Sequence, residues 1–144
     1  MFTWRNSRPP AFLSRKRAQL AIRGSDNGLG HGGALYASGA SALTIVDCDL
    51  YENRRGVELE NTTDVRFEEN RVSLNLGDAL RITGTNGTRV RNNLIYANGG
   101  DALELGGASS DIRIEFNTLY RNSGAQIRET VSGSTGVIAD NVIS

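Results

Sequence analysis

Three nonapeptides in the middle of the chain decide its fold: FEENRVSLN at 67–75, VRNNLIYAN at 90–98 and IEFNTLYRN at 114–122. Each has an Asn at its fourth position, an aliphatic residue two positions later, and a second Asn at its ninth position. The two Asn columns return every 22 to 24 residues, as Asn70, Asn93, Asn117 and Asn141, and as Asn53, Asn75, Asn98 and Asn122. Cys48 takes the first-column place one period earlier. A fixed period of this size without a helical pattern indicates a stacked β-solenoid, with one turn of backbone per repeat.

Apolar residues follow the same period and indicate short strands. Three columns are present: Ile45, Phe67, Val90, Ile114 and Ile138; Leu50, Val72, Ile95, Leu119 and Ile143; and Leu35, Val57, Leu80, Leu103 and Ile127. Within a coil, apolar residues separated by one polar residue have the period of a strand with one buried face. We therefore expect about three short strands per coil and about five coils, stacked about 4.8 Å apart in parallel sheets around an aliphatic core.

The Asn columns have a structural explanation. A stack of identical amides lets each side chain donate to one neighbour and accept from the other, which satisfies groups that are costly to bury alone. Asn is also common where a sharp corner between strands needs left-handed backbone. We therefore assign these columns to the corners of the solenoid and not to a functional site.

Composition limits the partners and divides the chain. The 144 residues include 16 basic and 16 acidic side chains, so overall charge favours neither a nucleic acid nor an anionic membrane as a partner. No apolar run approaches the roughly 18 residues of a membrane span, and no signal peptide is visible. Residues 1–17 lack the repeat and are basic, so we expect an N-terminal cap or arm there. Coils occupy 18–144, and the pattern weakens after Ile127, so we expect the stack to be truncated at its C-terminus.

These residues also carry a family resemblance. The run Gly-Gly-Ala-Leu-Tyr at 32–36, the run Ala-Leu-Thr-Ile at 42–45 and the repeats ending in Asn70, Asn93 and Asn117 resemble the right-handed parallel β-helix repeats of pectin-lyase-like proteins. The resemblance implies an all-β, right-handed parallel β-helix. The superfamily includes polysaccharide lyases, hydrolases and epimerases, phage tailspikes, adhesins and proteins without chemistry of their own. It therefore implies a polysaccharide-facing, extracellular or cell-surface protein and names no substrate.

One outward column alternates in charge: Glu58, Arg81, Glu104 and Arg128. Its plainest interpretation is a solvated ladder of ion pairs, worth roughly 0 to 1 kcal/mol per exposed pair. The resemblance places the column on the sheet that lines the sugar-binding groove of pectin-lyase-like enzymes, with Arg81 or Arg128 as the base or the clamp for a carboxylate. Glu58 and Glu104 are two coils apart, near the upper limit of the separation between glycosidase carboxylates.

Asp78 and Asp101 occupy equivalent places just before this column. Lyases of the family bind Ca²⁺ with acidic clusters, so this ion is expected only if the protein is a lyase. Two carboxylates are too few for the 6 to 8 oxygens of a calcium site, and we favour turn capping for both, with no cofactor. His31 is a weak catalytic candidate: its Gly-His-Gly context is similar to that of polygalacturonases, but the accompanying motifs are missing.

Two further columns are candidate ligand surfaces. Arg66, Arg89 and Arg113 form the most basic stripe and could hold an acidic polysaccharide, with a solvated mixed-charge face as the alternative. Tyr96 and Tyr120 continue a column that starts at Tyr51 and is interrupted by Ser73. Aromatic rings in a row stack on each other or on sugar rings, and we favour a structural rib.

Three functions remain open on this sequence. We favour a non-catalytic module or fragment of a secreted or surface protein, which binds a polysaccharide or a cell-surface glycan or acts as a rigid scaffold. The alternative is a lyase, epimerase or hydrolase acting on an acidic polysaccharide. The second alternative is a solenoid piece that associates with itself end to end, because an open terminal coil exposes strand edges.

Overall fold

The computed structural model describes residues 2–3, 20–23, 33–130 and 133–144. Most of the expected cap at 1–17 and the candidate His31 lie outside these residues. The described part of the chain consists of strands, turns and bends, and contains no helix long and apolar enough to cross a membrane.

Short strands follow one another along the chain. They are β1 (Phe2–Thr3), β2 (Leu20–Arg23), β3 (Gly33–Ser38), β4 (Thr44–Val46), β5 (Cys48–Tyr51), β6 (Arg55–Glu60), β7 (Thr63–Glu68), β8 (Arg71–Ser73), β9 (Leu80–Thr83), β10 (Asn86–Arg91), β11 (Leu94–Tyr96), β12 (Leu103–Gly106), β13 (Ile112–Glu115), β14 (Thr118–Tyr120), β15 (Ile127–Glu129), β16 (Gly136–Ala139) and β17 (Val142–Ile143).

The strands stack into three sheets, as the repeat predicts. Sheet A has the order β1-β3-β6-β9-β12-β15, sheet B the order β2-β5-β8-β11-β14-β17, and sheet C the order β4-β7-β10-β13-β16. Within each sheet the pairings are parallel, except that β1 pairs with β3 in the antiparallel direction. The five strands of sheet C mark five coils, which confirms the predicted all-β parallel β-helix.

The core contains the predicted apolar columns. Phe67, Val90 and Ile114 from sheet C are completely buried, and Val72, Ile95 and Leu119 from sheet B are buried with them. Sheet A adds Val57, Leu80 and Leu103. Burial of one side chain of this size contributes about 1.5–3 kcal/mol. The stack is therefore held by an aliphatic column to which successive coils contribute.

Both Asn ladders are confirmed. In the first ladder, the Nδ2 of Asn70 donates to the Oδ1 of Asn93 at 3.1 Å, and the Nδ2 of Asn93 donates to the Oδ1 of Asn117 at 2.9 Å. The same oxygens accept the backbone N–H of the preceding Asn, at 2.9 Å and 3.0 Å. The second ladder repeats the arrangement between Asn75 and Asn98. Each amide therefore satisfies a buried backbone group as well as its neighbour in the stack.

Left-handed backbone occurs at these corners, but at the residue before each Asn and not at the Asn itself. In front of the first ladder φ is +54° to +57° at Asp47, Glu69, Asn92, Phe116 and Asp140, and in front of the second it is +54° to +56° at Glu52, Leu74, Ala97 and Arg121. This residue turns the chain, which leaves the N–H and the amide of the Asn free to point along the stack. Such conformations are costly for residues other than Gly, and the ladder bonds hold them in place.

Cys48 keeps the backbone hydrogen bond of the first ladder but has no side-chain amide. Its backbone N–H donates to the Oδ1 of Asn70 at 3.0 Å, and its thiol donates to the carbonyl of Val46 at 3.4 Å. Burial raises the pKa of this thiol to about 11. At neutral pH Cys48 is therefore protonated, which agrees with a packing role.

The corner between sheets A and C contains buried hydroxyl groups that the sequence pattern does not predict. Thr62, Thr85 and Ser109 are buried there on successive coils. The N–H of Thr85 donates to the Oγ of Ser109 at 3.2 Å, and the hydroxyl of Thr88 donates to that of Thr85 at 3.2 Å. Within the described residues, the Thr62 hydroxyl has no hydrogen-bond partner. This corner is therefore less regular than the two corners with Asn.

Candidate functional site

The outer face of sheet A carries a group of charged side chains, of which Glu58 and Asp101 are buried. Along β6, Val57 and Leu59 point into the core, so Glu58 between them points outward. The register places the equivalent residues of the other coils in one row: Tyr36, Glu58, Arg81, Glu104 and Arg128. The residues of the predicted column therefore lie in one row, and Tyr36 extends this row by one coil towards the N-terminus.

The ion pairs in this row are not the simple alternation that the sequence predicts. Arg81 pairs with Glu104 at 3.4 Å, as expected. Arg128, however, pairs with Asp101 at 2.9 Å rather than with Glu104, and Glu58 pairs with Arg55 of its own strand at 2.5 Å. Contacts with residues at the start of the strands compete with contacts along the row. The result is a network across the face.

Three carboxylates meet in this network. Asp78, Asp101 and Glu104 each place a carboxylate oxygen within 4.8 Å of the others. The Oδ1 of Asp78 accepts the N–H of Asp101 at 2.8 Å, and the Oδ1 of Asp101 accepts the N–H of Ala125 at 2.7 Å. Both aspartates therefore cap the backbone of the next coil, as predicted. Glu104, from the neighbouring outward column, joins them, which the sequence pattern did not predict.

A surface groove of about 180 Å³ adjoins the row at its N-terminal side. Its lining includes Tyr36, Arg55, Glu58, Arg81 and Thr83. The Tyr36 hydroxyl donates to the carboxylate of Glu60, and this bond, together with burial, raises the pKa of Tyr36. The groove thus has an aromatic ring at one end and charged groups along its length.

Comparison with known proteins identifies the family. A family model described as a right-handed β-helix region matches residues 23–144, which is most of the chain. The chain belongs to the right-handed β-helix family. No curated protein and no solved structure matches it significantly. The family defines the handedness of this β-helix and agrees with a pectin-lyase-like architecture.

Glu104 is the carboxyl group of the row on sheet A whose pKa is raised. Burial raises its pKa, the charge of Arg81 opposes this, and a hydrogen bond with Asp78 and the charges of Asp78 and Asp101 raise it further. A carboxylate among other carboxylates retains its proton to higher pH than one in water. Burial and the neighbouring carboxylates therefore hold the pKa of Glu104 above its ordinary value.

Replacement of Glu104 by Gln tests this environment through stability. A group with a raised pKa in the folded state stabilises the fold while it is protonated, and that contribution is lost as the pH rises through the folded-state pKa. Glu104→Gln keeps a hydrogen-bond donor and removes the charge. We expect it to raise the melting temperature at pH 7 and to change it little below the ordinary pKa of a glutamate. Melting curves from pH 3.5 to 8 measure this, with Glu115→Gln on sheet C as the control. An equal shift at every pH would contradict it.

The three carboxylates leave few of their own oxygens free for a calcium ion. One oxygen of each aspartate accepts a backbone N–H, and the Oδ2 of Asp101 contacts Arg128. The oxygens that remain fall short of the 6 to 8 that Ca²⁺ requires, and two arginines lie beside them. The role that the structure shows for Asp78 and Asp101 is capping of the backbone of the next coil.

The other candidate columns lie on other faces. Arg66, Arg89 and Arg113 stack in register on sheet C. Glu68 pairs with Arg66 at 2.7 Å and Asp111 lies 3.9 Å from Arg113, whereas Arg89 has no ion pair within the described residues. This agrees with a mixed-charge face.

Tyr96 and Tyr120 stack on sheet B, with ring centroids 5.1 Å apart and planes at 6°. This contact agrees with a rib. The acidic and basic row on sheet A, the arginine stripe and the tyrosine column therefore occupy three different sheets and do not form one site.

Proposed function

We propose that this β-helix binds a polysaccharide along the outer face of sheet A and does not cleave it. The observation that carries the proposal is the groove beside Tyr36, Glu58 and Arg81, which continues into a row of charged side chains spaced by one coil. A rigid row with a repeat of about 4.8 Å offers regularly spaced polar contacts to a polymer that itself repeats.

The chemistry of the row suits a ligand rich in hydroxyl groups. Arg81 carries five N–H donors on a planar guanidinium; its Nε faces Glu104 at 3.4 Å, and the side chain is 41% exposed. Glu104 adds a carboxyl group beside Arg81, and Glu58 holds Arg55 at 2.5 Å at the edge of the groove. Tyr36 adds an aromatic ring with a polar tip, a combination that is favoured at binding surfaces.

The separation of the carboxylates and their hydrogen bonds to the backbone favour binding without cleavage. A glycosidase needs two carboxyl groups about 5–5.5 Å or 6.5–9.5 Å apart, with a sugar between them. Asp78, Asp101 and Glu104 are closer together than this, and both aspartates bind the backbone of the next coil. A polysaccharide ligand also favours a location outside the cell or at its surface.

Arg81→Ala is the decisive variant for binding. The wild-type protein is titrated calorimetrically with polygalacturonate, alginate and a neutral glucan. Loss of hydrogen bonds from a charged donor costs about 1.5–3 kcal/mol, so we expect Arg81→Ala to weaken binding at least about tenfold. The matched control is Arg89→Ala on sheet C, which should bind within about a factor of two of wild type, a few tenths of a kcal/mol. No binding to any of the three polymers, or loss of binding in the control alone, would reject the proposed face.

One observation favours cleavage as a second candidate function. Glu104 has the raised pKa of a general acid and lies 3.4 Å from the guanidinium of Arg81. The same polymers are therefore incubated with the protein, and both reducing ends and unsaturated uronates are measured. If the wild type forms product and Glu104→Gln does not, the protein is an enzyme and not a binding module.

A further inference from the structure

The charged groups in the sheet A row and its groove are not balanced. Together with the carboxylates beside them they comprise five carboxylates and three guanidinium groups: Glu58, Glu60, Asp78, Asp101 and Glu104 against Arg55, Arg81 and Arg128. The whole chain, in contrast, has 16 basic and 16 acidic side chains. A surface with an excess of one charge attracts or repels a charged ligand even when the net charge of the protein is zero.

Each of the three arginines already has a carboxylate partner. The pairs are Arg55 with Glu58 at 2.5 Å, Arg81 with Glu104 at 3.4 Å, and Arg128 with Asp101 at 2.9 Å. The acidic member is the more buried one in every pair, since the side chains of Glu58, Glu104 and Asp101 are 8%, 13% and 6% exposed. A carboxylate of a ligand that took one of these guanidinium groups would leave a buried carboxylate without its counter-charge, which is unfavourable.

Two carboxylates remain in excess of these pairs. The Oδ1 of Asp78 accepts the N–H of Asp101 at 2.8 Å, and the carboxylate of Glu60 accepts the Tyr36 hydroxyl. Neither of these contacts supplies a positive charge. Burial raises the pKa of Glu104, the charge of Arg81 lowers it, and the charges of Asp78 and Asp101 raise it again. A further negative charge is therefore unfavourable at this place.

Sugar hydroxyl groups do not meet this obstacle. A hydroxyl both donates and accepts, so it can donate to a carboxylate oxygen and accept from a guanidinium N–H while the ion pair stays in place. The side chains of Arg81 and Arg128 are 41% and 53% exposed although both are paired, so they can still reach a ligand. Thr83 adds an uncharged polar group to the lining of the groove.

We propose that the ligand of the sheet A row is an uncharged polysaccharide, and that the paired arginines and the excess carboxylates discriminate against polyuronates. The inference rests on the proposed polysaccharide binding and specifies the class of its ligand. Selectivity of this kind arises from repulsion of the wrong ligand as much as from attraction of the right one.

The test uses two pairs of polymers that differ in charge on the same backbone. One pair is a neutral glucan and the same glucan oxidised at C6 to a polyuronate, and the other is methyl-esterified polygalacturonate and polygalacturonate. Each polymer is titrated calorimetrically into the full chain at low ionic strength, where charge effects are largest. In each pair that binds, we expect the uncharged member to bind at least about tenfold more tightly, and added salt to reduce this difference.

A double variant identifies the groups responsible. Glu60→Gln with Asp78→Asn removes the excess charge and keeps the hydrogen-bond acceptor at both positions. It should narrow the difference in affinity at least about threefold and leave binding of the uncharged polymer unchanged, which also shows that the face is intact. The matched control is Asp64→Asn with Glu115→Gln, which removes two negative charges from sheet C and should leave the difference as in wild type.

The outcomes separate this inference from the proposed function on which it rests. A polyuronate that bound as tightly as its uncharged counterpart would overturn the inference and leave polysaccharide binding by sheet A intact. No binding to any of the four polymers would remove the proposed function itself. If the sheet C control narrowed the difference as much as Glu60→Gln with Asp78→Asn does, net charge and not this face would determine the selectivity, and the inference would be wrong.

Discussion

Asn93→Ala should lower the free energy of unfolding by about 3–5 kcal/mol, the largest single-residue effect that we expect in this protein. The Oδ1 of Asn93 accepts two hydrogen bonds from Asn70, and its Nδ2 donates to Asn117 and to the carbonyl of Phe67. Alanine removes all four and leaves buried donors and acceptors unpaired on both neighbouring coils. Each such group costs about 1–3 kcal/mol. Urea denaturation at pH 7 measures the loss.

The matched control lies in the same ladder. Asn141 accepts two bonds from Asn117 and donates to the carbonyls of Ile114 and Ala139, but it is only partly buried at the open end. Water can replace its partners, so Asn141→Ala should cost about 1 kcal/mol. If the two variants lost equal stability, burial would not be the reason that the ladder stabilises the coils.

The fold could be predicted from the sequence because the ladder repeats one residue type. The ladder and the core columns need the same residue type at the same corner of every coil, so Asn70, Asn93 and Asn117 align without any structural information. Once these are aligned, the register of every sheet follows, including Glu58 opposite Arg81. A solenoid translates a linear period directly into neighbours in space.

Features whose residue type varies from coil to coil could not be predicted, for the same reason. Left-handed backbone recurs at each Asn corner, yet the residues that adopt it include Glu69, Leu74 and Phe116, which give no common signal. The buried hydroxyl corner mixes Thr62, Thr85 and Ser109 in turns of unequal length. In both cases the requirement is on backbone geometry or on a hydroxyl group, and several residue types fulfil it.

The candidate site was predicted only in part. The alternation of Glu58, Arg81 and Glu104 is readable because these residues share one column. The approach of Glu104 to Asp78 and the pairing of Arg128 with Asp101 cross from one column to another. Such diagonal contacts depend on the side-chain torsions and on the twist between coils, which the period does not specify.

Gly56→Ala should also destabilise the fold severely, by about 3 kcal/mol, through backbone crowding and not through a lost hydrogen bond. A Cβ at this position would lie 2.0 Å from the carbonyl oxygen of Ala79 and 2.9 Å from the Cγ1 of Val72. That carbonyl accepts the N–H of Val57 at 2.8 Å, so it cannot move aside without breaking the pairing of β6 with β9. We expect the melting temperature to fall by about 10 °C.

Gly77→Ala is the control for this effect, because its Cβ would meet the carbonyl of Arg54 at 3.1 Å and the flexible side chain of Arg55 at 3.3 Å. A shift of a few tenths of an ångström relieves both contacts, so the cost should stay below about 1 kcal/mol. Calorimetric melting of the two variants separates the outcomes. If Gly56→Ala had the same melting temperature as Gly77→Ala, neighbouring coils could move apart locally at little energetic cost. The spacing between coils would then be less rigid than the hydrogen bonds indicate. A large drop confined to Gly56→Ala would show instead that the spacing between coils is held rigidly on sheet A, as the proposed polysaccharide-binding row requires.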